Sequence, residues 1–216
     1  MEQLKNYTFS HQKHDGHMDF TQALNLSDER VLLRPYASTD LAQLALITQD
    51  EDIWRYMPTR ISNQEELATW VQAVEKGRAQ GTRYTFMIED RATGQLAGST
   101  SYGNVSLPDR RLEIGWTWLT KPYRGSGLNR HCKFLLLQYA FEVLDFERVE
   151  LKTDVLNTRS RKAMLKIGAT EEGVLRSHTQ LHDGRRRDTI YYSILRPEWA
   201  QVKQRYFGDL SAQRPV

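Results

Sequence analysis

The chain has little of several things, and each shortage removes a class of answers. Cys132 is its one cysteine in 216 residues, which excludes an intramolecular disulfide. Lying in an apolar helical stretch, it reads as a small core residue and not as a nucleophile. No uninterrupted apolar run is long enough to cross a bilayer. The N-terminal Lys5, His11, Lys13 and His14 are followed by no apolar core, so no secretory signal is read there. These readings make a cytoplasmic protein without membrane attachment the expectation. Charge of one sign is also scarce: 30 basic against 27 acidic residues leave +3, too little by itself to argue for nucleic acid. There is no internal repeat and no low-complexity stretch.

What is present is organised. Residues 1–25 read as a polar arm, 26–210 as one domain and 211–216 as a tail. His11, His14 and His17 sit three apart, but Gly16 and the missing apolar face argue against a stable helix. No metal site is assigned. A short strand over 31–34 stops at Pro35. Leu41, Leu44, Ala45 and Thr48 form a helical stripe. Ser62-Asn63-Gln64-Glu65 has the form of a capping box before a second helix with Leu67, Trp70, Val71 and Val74. Strands follow at 84–88, 96–104 and 111–119, then a helix from about 127 to 144. A strand at 149–155, a helix ended by Gly168, a hairpin around His182-Asp183-Gly184 and a last helix opened by Pro197 complete the order. This predicts an α/β (α+β) domain: a mixed, mostly antiparallel seven-stranded sheet with helices on both faces.

One constellation carries chemistry. The strand 111–119 leads through a short loop into Arg124-Gly125-Ser126-Gly127, which opens the long helix. Glycines there let backbone N–H groups approach a ligand. A helix N-terminus adds free donors and partial positive charge, and together these make an anion cradle. Arg124 can add a bidentate clamp. No Gly-Lys-Ser/Thr closes the loop, so it is not a Walker A loop. No βαβ unit with a glycine fingerprint precedes it, which argues against a dinucleotide-binding Rossmann domain.

In this order the pieces resemble a known family. They are Leu32-Leu33-Arg34-Pro35, Gly94-Gln95-Leu96-Ala97-Gly98-Ser99, Leu112-Glu113-Ile114-Gly115-Trp116-Thr117-Trp118-Leu119, Arg124 to Asn129, Ala140-Phe141-Glu142-Val143-Leu144, Arg148-Val149-Glu150-Leu151, Asn157-Thr158-Arg159-Ser160, Ile167-Gly168-Ala169 and Glu172-Gly173-Val174-Leu175-Arg176. The chain is similar to the GCN5-related N-acetyltransferases. Within them it resembles the RimJ/RimL-like branch that acetylates the N-termini of ribosomal proteins.

The resemblance implies a single domain with a splayed central strand pair, 111–119 and 148–155. It implies acetyl-CoA as cosubstrate, with no metal. The backbone of Arg124, Gly125, Ser126, Gly127, Leu128 and Asn129 would hold the pyrophosphate. Asn129 stands where the family has Gly or Ala. The N–H near Trp118 or Leu119 would face the thioester oxygen, and Asn157 and Ser160 would reach the pantetheine arm and sulfur.

The chemistry sets three needs. An α-amine, with a pKa near ~8, must lose a proton. The oxyanion needs a fixed donor, worth roughly 3 kcal/mol. A thiolate of reference pKa ~8.5 must leave. Glu113 is the candidate base, with Glu150 and Asp154 as rivals. Many relatives have a proton-donating Tyr where this chain has Met164, so Ser160 is the candidate acid. The acceptor, a protein N-terminus or a small-molecule amine, would enter among Trp54, Tyr56, Trp70, Tyr84, Tyr102 and Arg185 to Arg187. A non-catalytic acyl-CoA-binding module and a homodimer stay open.

Overall fold

The structure is a computed structural model and describes residues 19–211. The histidines of the arm and the tail beyond Ser211 lie outside the described residues.

Eight strands form one sheet in the order β1-β2-β3-β4-β5-β6-β8-β7. They are β1 Leu26–Ser27, β2 Val31–Pro35, β3 Arg83–Asp90, β4 Gln95–Ser106, β5 Arg111–Leu119, β6 Arg148–Asp154, β7 Thr170–Gln180 and β8 Arg186–Leu195. The expected count of seven is corrected by β1, which pairs antiparallel with β2 through Leu26↔Leu33 and Ser27↔Leu32. Two residues are too few to show alternation. The turn is fixed by Asp28, whose Oδ1 accepts from the N–H groups of Arg30 and Val31 at 2.9 Å each.

The helices are α1 Leu41–Ile47, α2 Gln64–Ala79, α3 Leu128–Gln138, α4 Thr158–Leu165 and α5 Arg196–Ser211. α3 runs on into a π-helical turn over Tyr139–Val143. The capping box of α2 sits one residue later than expected. Asn63 is the N-cap, accepting from the Glu66 N–H at 2.8 Å, and Glu66 reaches back to Ser62 at 2.6 Å. Two adjacent polar residues could each cap, and the turn geometry chose the second.

Helices cover both faces, as the alternation of β5 requires. Leu112 and Ile114 point to one face, where α3 and α5 supply Leu135, Leu136, Trp199 and Phe207. Trp118 points to the other, against Leu44 of α1, Leu67 of α2 and Trp54. Burying each of these large side chains contributes roughly 1.5–3 kcal/mol. Tyr84 and Tyr102, expected near the acceptor, are instead core residues. Their hydroxyls bond to backbone groups at Gln22, Leu24 and Leu136.

All neighbouring strands are antiparallel except β5 and β6. Their pairing ends early, after Arg111↔Arg148, Leu112↔Val149 and Glu113↔Glu150. Beyond Glu113 the two strands part, although β5 continues to Leu119 and β6 to Asp154. A bulge explains the parting. β4 pairs Ser101 with Gly115 and Ser99 with Trp118, so β5 carries one extra residue there. Trp116 adopts φ +51° at the bulge, a rare conformation for a bulky side chain. β5 turns away with β4 while β6 stays paired with β8 as far as Asp154↔Thr189.

Candidate active site

The two parting strands each run into a helix, and the helix starts differ. α3 begins at Gly127, its N-cap, with φ +88°, and Gly125 precedes it at φ +78°. Both are left-handed conformations that glycine adopts without strain. No side chain caps α3. The nearest approach is Ser126 Oγ, which lies 3.4 Å from the N–H of Leu128. The Arg130 N–H already donates to the Gly127 carbonyl at 2.8 Å, and the earlier first-turn N–H groups are left for an outside acceptor. Gly125, Ser126 and Gly127 are exposed, Leu128 is buried in the core, and Asn129 is half-buried with its side-chain oxygen unbonded.

Arg124 does not supply the expected clamp. Its Nε donates to the Leu119 carbonyl at 2.8 Å and its NH2 lies 2.9 Å from Asp50. Asp52 stands 3.7 Å from NH1. The guanidinium therefore ties the loop to the segment after α1. Arg130 is likewise held, by Asp209 and the Tyr206 carbonyl of α5.

At α4 the N-cap is Asn157, whose Oδ1 accepts from the Ser160 N–H at 3.1 Å. Ser160 is half-buried. Met164, in place of the expected tyrosine, is buried in the core and offers no proton.

Glu113 stands at the fork where β5 and β6 part. It is buried, ion-paired to Lys152 of β6 at 2.8 Å, and accepts from Asn104 Nδ2 at 2.7 Å. Its rivals are ion-paired too. Glu150 pairs with Arg148 at 2.9 Å, and Asp154 pairs with Arg185. Trp118 is buried, and Leu119, half-buried, ends the bulged strand beside the loop.

The sequence reading passed over three groups here. Lys133 of α3 is buried against the sheet, donating to Thr117 Oγ1 at 2.8 Å and lying 3.5 Å from Thr100 Oγ1. Burial lowers its pKa from 10.5 to about 8. In a helical stripe only its missing apolar character marked it. His178 of β7 lies edge-on to Tyr191 and 3.1 Å from Thr189 Oγ1. Burial and the nearby Lys152, Arg187 and Arg186 lower its pKa. Arg83 opens β3 with its guanidinium 5.2 Å from the Trp116 ring centre.

A cleft of about 460 Å³ opens on the α2 face of the sheet, lined by Trp54, Met57, Trp70, Arg83, Trp116 and Trp118. Two of its walls belong to the bulged part of β5.

Comparison with known proteins decides the family. The profile of the acetyltransferase (GNAT) domain matches residues 30–170. The chain belongs to the GNAT acetyltransferase family. As a GNAT protein it is an acyltransferase of a family that uses acetyl-CoA. It is 30% identical over 172 residues to the "Putative ribosomal N-acetyltransferase YdaF" of Bacillus subtilis (strain 168), covering 73% of this chain and 93% of that one. Two solved structures share the fold. One is a GCN5-related N-acetyltransferase from Brucella melitensis, at TM-score 0.80 and 24% identity over 87% of this chain and 85% of that chain. The other is Mycobacterium smegmatis RimJ in complex with CoA-disulfide, at TM-score 0.72 and 22% identity over 88% and 94%. Among the described residues, no helix is long and apolar enough to cross a membrane.

Proposed function

We propose that this GNAT protein moves the acetyl group of acetyl-CoA to a primary amine by direct attack, and that the amine is a protein N-terminal α-amine. The observation that carries the cofactor half is the uncapped, glycine-built start of α3 beside a strand pair open beyond Glu113. Backbone donors from Arg124 to Asn129 hold the pyrophosphate there. Pantetheine, peptide-like, lies between β5 and β6 against strand groups that no neighbour pairs. Acetyl-CoA supplies the activated acyl carbon, and the chain's own residues orient it and manage protons.

Glu113 takes the proton from the amine, through water. Lys152 and Asn104 fix its carboxylate at the fork. The N–H at Trp118 or Leu119 faces the developing oxyanion. Such a preorganised donor is worth roughly 3 kcal/mol to the transition state. Ser160, beside the pantetheine arm with Asn157, steadies or protonates the departing thiolate. The catalytic unit is the single domain 26–210, acting in the cytoplasm.

The protein N-terminus is favoured as acceptor by the similarity to the ribosomal N-acetyltransferase relative. Turnover of acetyl-CoA, followed by thiol release, against N-terminal peptides, polyamines and aminoglycosides tests the choice. Peptides are expected to be acetylated fastest. Exclusive turnover of polyamines or aminoglycosides would reverse it.

A further inference from the structure

The α2-face cleft contains a cation that has no counterion among the described residues. Arg83 is half-buried, and its Nε is shut from solvent with no hydrogen-bond partner. Among the described residues no carboxylate pairs with it. Its one close neighbour of note is the Trp116 ring, 5.2 Å from the guanidinium carbon. A buried charge is normally paired, and a guanidinium left otherwise is poised for an anion.

The surroundings are built to hold it there. Trp116 keeps the rare φ of +51° at the bulge, a strained choice for an aromatic residue. Its ring packs closely on Gly103, which lies directly across from Arg83 in the β3–β4 register. A Cβ at Gly103 would stand 2.5 Å from a ring atom, so only glycine leaves room. Gly103 thus makes room for the Trp116 ring, and the ring in turn lies beside the Arg83 guanidinium. The other charged groups of the cleft are accounted for. Arg60 pairs with Glu51 at 3.1 Å, and Glu66 is held by Ser62. Glu65 is exposed, where a hydrated carboxylate needs no partner.

We propose that the acceptor amine carries a carboxylate or phosphate, and that this anion docks on Arg83 against the Trp116 ring. The inference rests on the amine-acetylating reading and narrows its substrate class. The anion has two sources, an acidic side chain near a protein N-terminus or the acid group of a small amine. Arg83 engages either in the same bidentate way.

The test measures kcat/KM on matched acceptors: peptides alike except for Asp, Asn or Lys at the second position, and small amines with and without a phosphate. Wild type is expected to favour the acidic member of each effective pair by about tenfold or more, because the neutral one leaves the cleft's cation unpaired. In Arg83→Gln the ratio should fall toward one, mainly through KM. In Arg83→Lys, which keeps the charge, part of the preference should survive. Preference confined to small amines, with no peptide turned over, would uphold the inference and remove the N-terminal reading. Peptide turnover without any charge preference would do the reverse. Tryptophan fluorescence on titrating the Asp peptide gives a second readout free of turnover. Binding at least about tenfold weaker in Arg83→Gln is expected. Equal binding, or an acidic preference that persists in Arg83→Gln, overturns the proposal.

Discussion

The starts of α3 and α4 make an instructive pair. Each follows one of two parallel strands that share three residue pairs and then separate. α4 is closed by its own sequence, since Asn157 caps the Ser160 N–H. α3 is left open, with two left-handed glycines and no side-chain cap. A helix end left unsatisfied costs stability, so the open start has backbone donors to offer an acceptor, while the closed start can act only through its side chains. On the proposed reading, the diphosphate takes the open side of the fork and the thiol end the closed one.

Gly127→Trp attacks the open start and should have the largest effect. No atom lies within 4 Å of the position a Cβ would take, so the fold has room for it. The strained φ costs roughly 1–2 kcal/mol. Acetyl-CoA affinity by calorimetry should fall by about a hundredfold or more, because the backbone no longer reaches the phosphates. Glu113→Gln acts at the fork. It should lower kcat by about a hundredfold, most strongly at low pH, with acetyl-CoA affinity nearly intact.

Lys133→Met tests the burial beneath the bulge. Unfolded lysine titrates near 10.5 and the folded one near about 8. Between these values the unfolded state holds more protons, so Lys133 makes stability rise as pH climbs from 8 to 10.5 and fall again on the way down. The full difference corresponds to about 3 kcal/mol. Melting temperature against pH should rise less steeply over that window in the methionine variant than in wild type. Asn157→Ala attacks the closed start and should have the smallest effect on binding. It should cost about 1 kcal/mol of stability while leaving acetyl-CoA affinity within about threefold. A loss matching that of Gly127→Trp would erase the distinction between the two helix starts.

Much of this was legible in the residues because it is local. The glycine loop, the capping residues and the alternation of β5 write themselves into neighbouring positions. The bulge did not, since Trp116 is a residue type that ordinarily avoids positive φ and gives no local hint. Arg124 read as a phosphate clamp because Asp50, its partner, lies more than seventy residues earlier in the chain. Tyr84 and Tyr102 alternated like cleft residues, and only distant partners placed their hydroxyls in the core, Gln22 and Leu24 for Tyr84 and the Leu136 carbonyl of α3 for Tyr102. Arg83 was silent until Gly103 and Trp116 came together beside it.

Amide hydrogen exchange with and without saturating acetyl-CoA tests the open start of α3 most directly. The account predicts strong new protection over Gly125 to Arg130 and at Trp118 and Leu119, with little change along β1 and β2. Bound acetyl-CoA that left the Gly125 to Arg130 amides exchanging as before would contradict it.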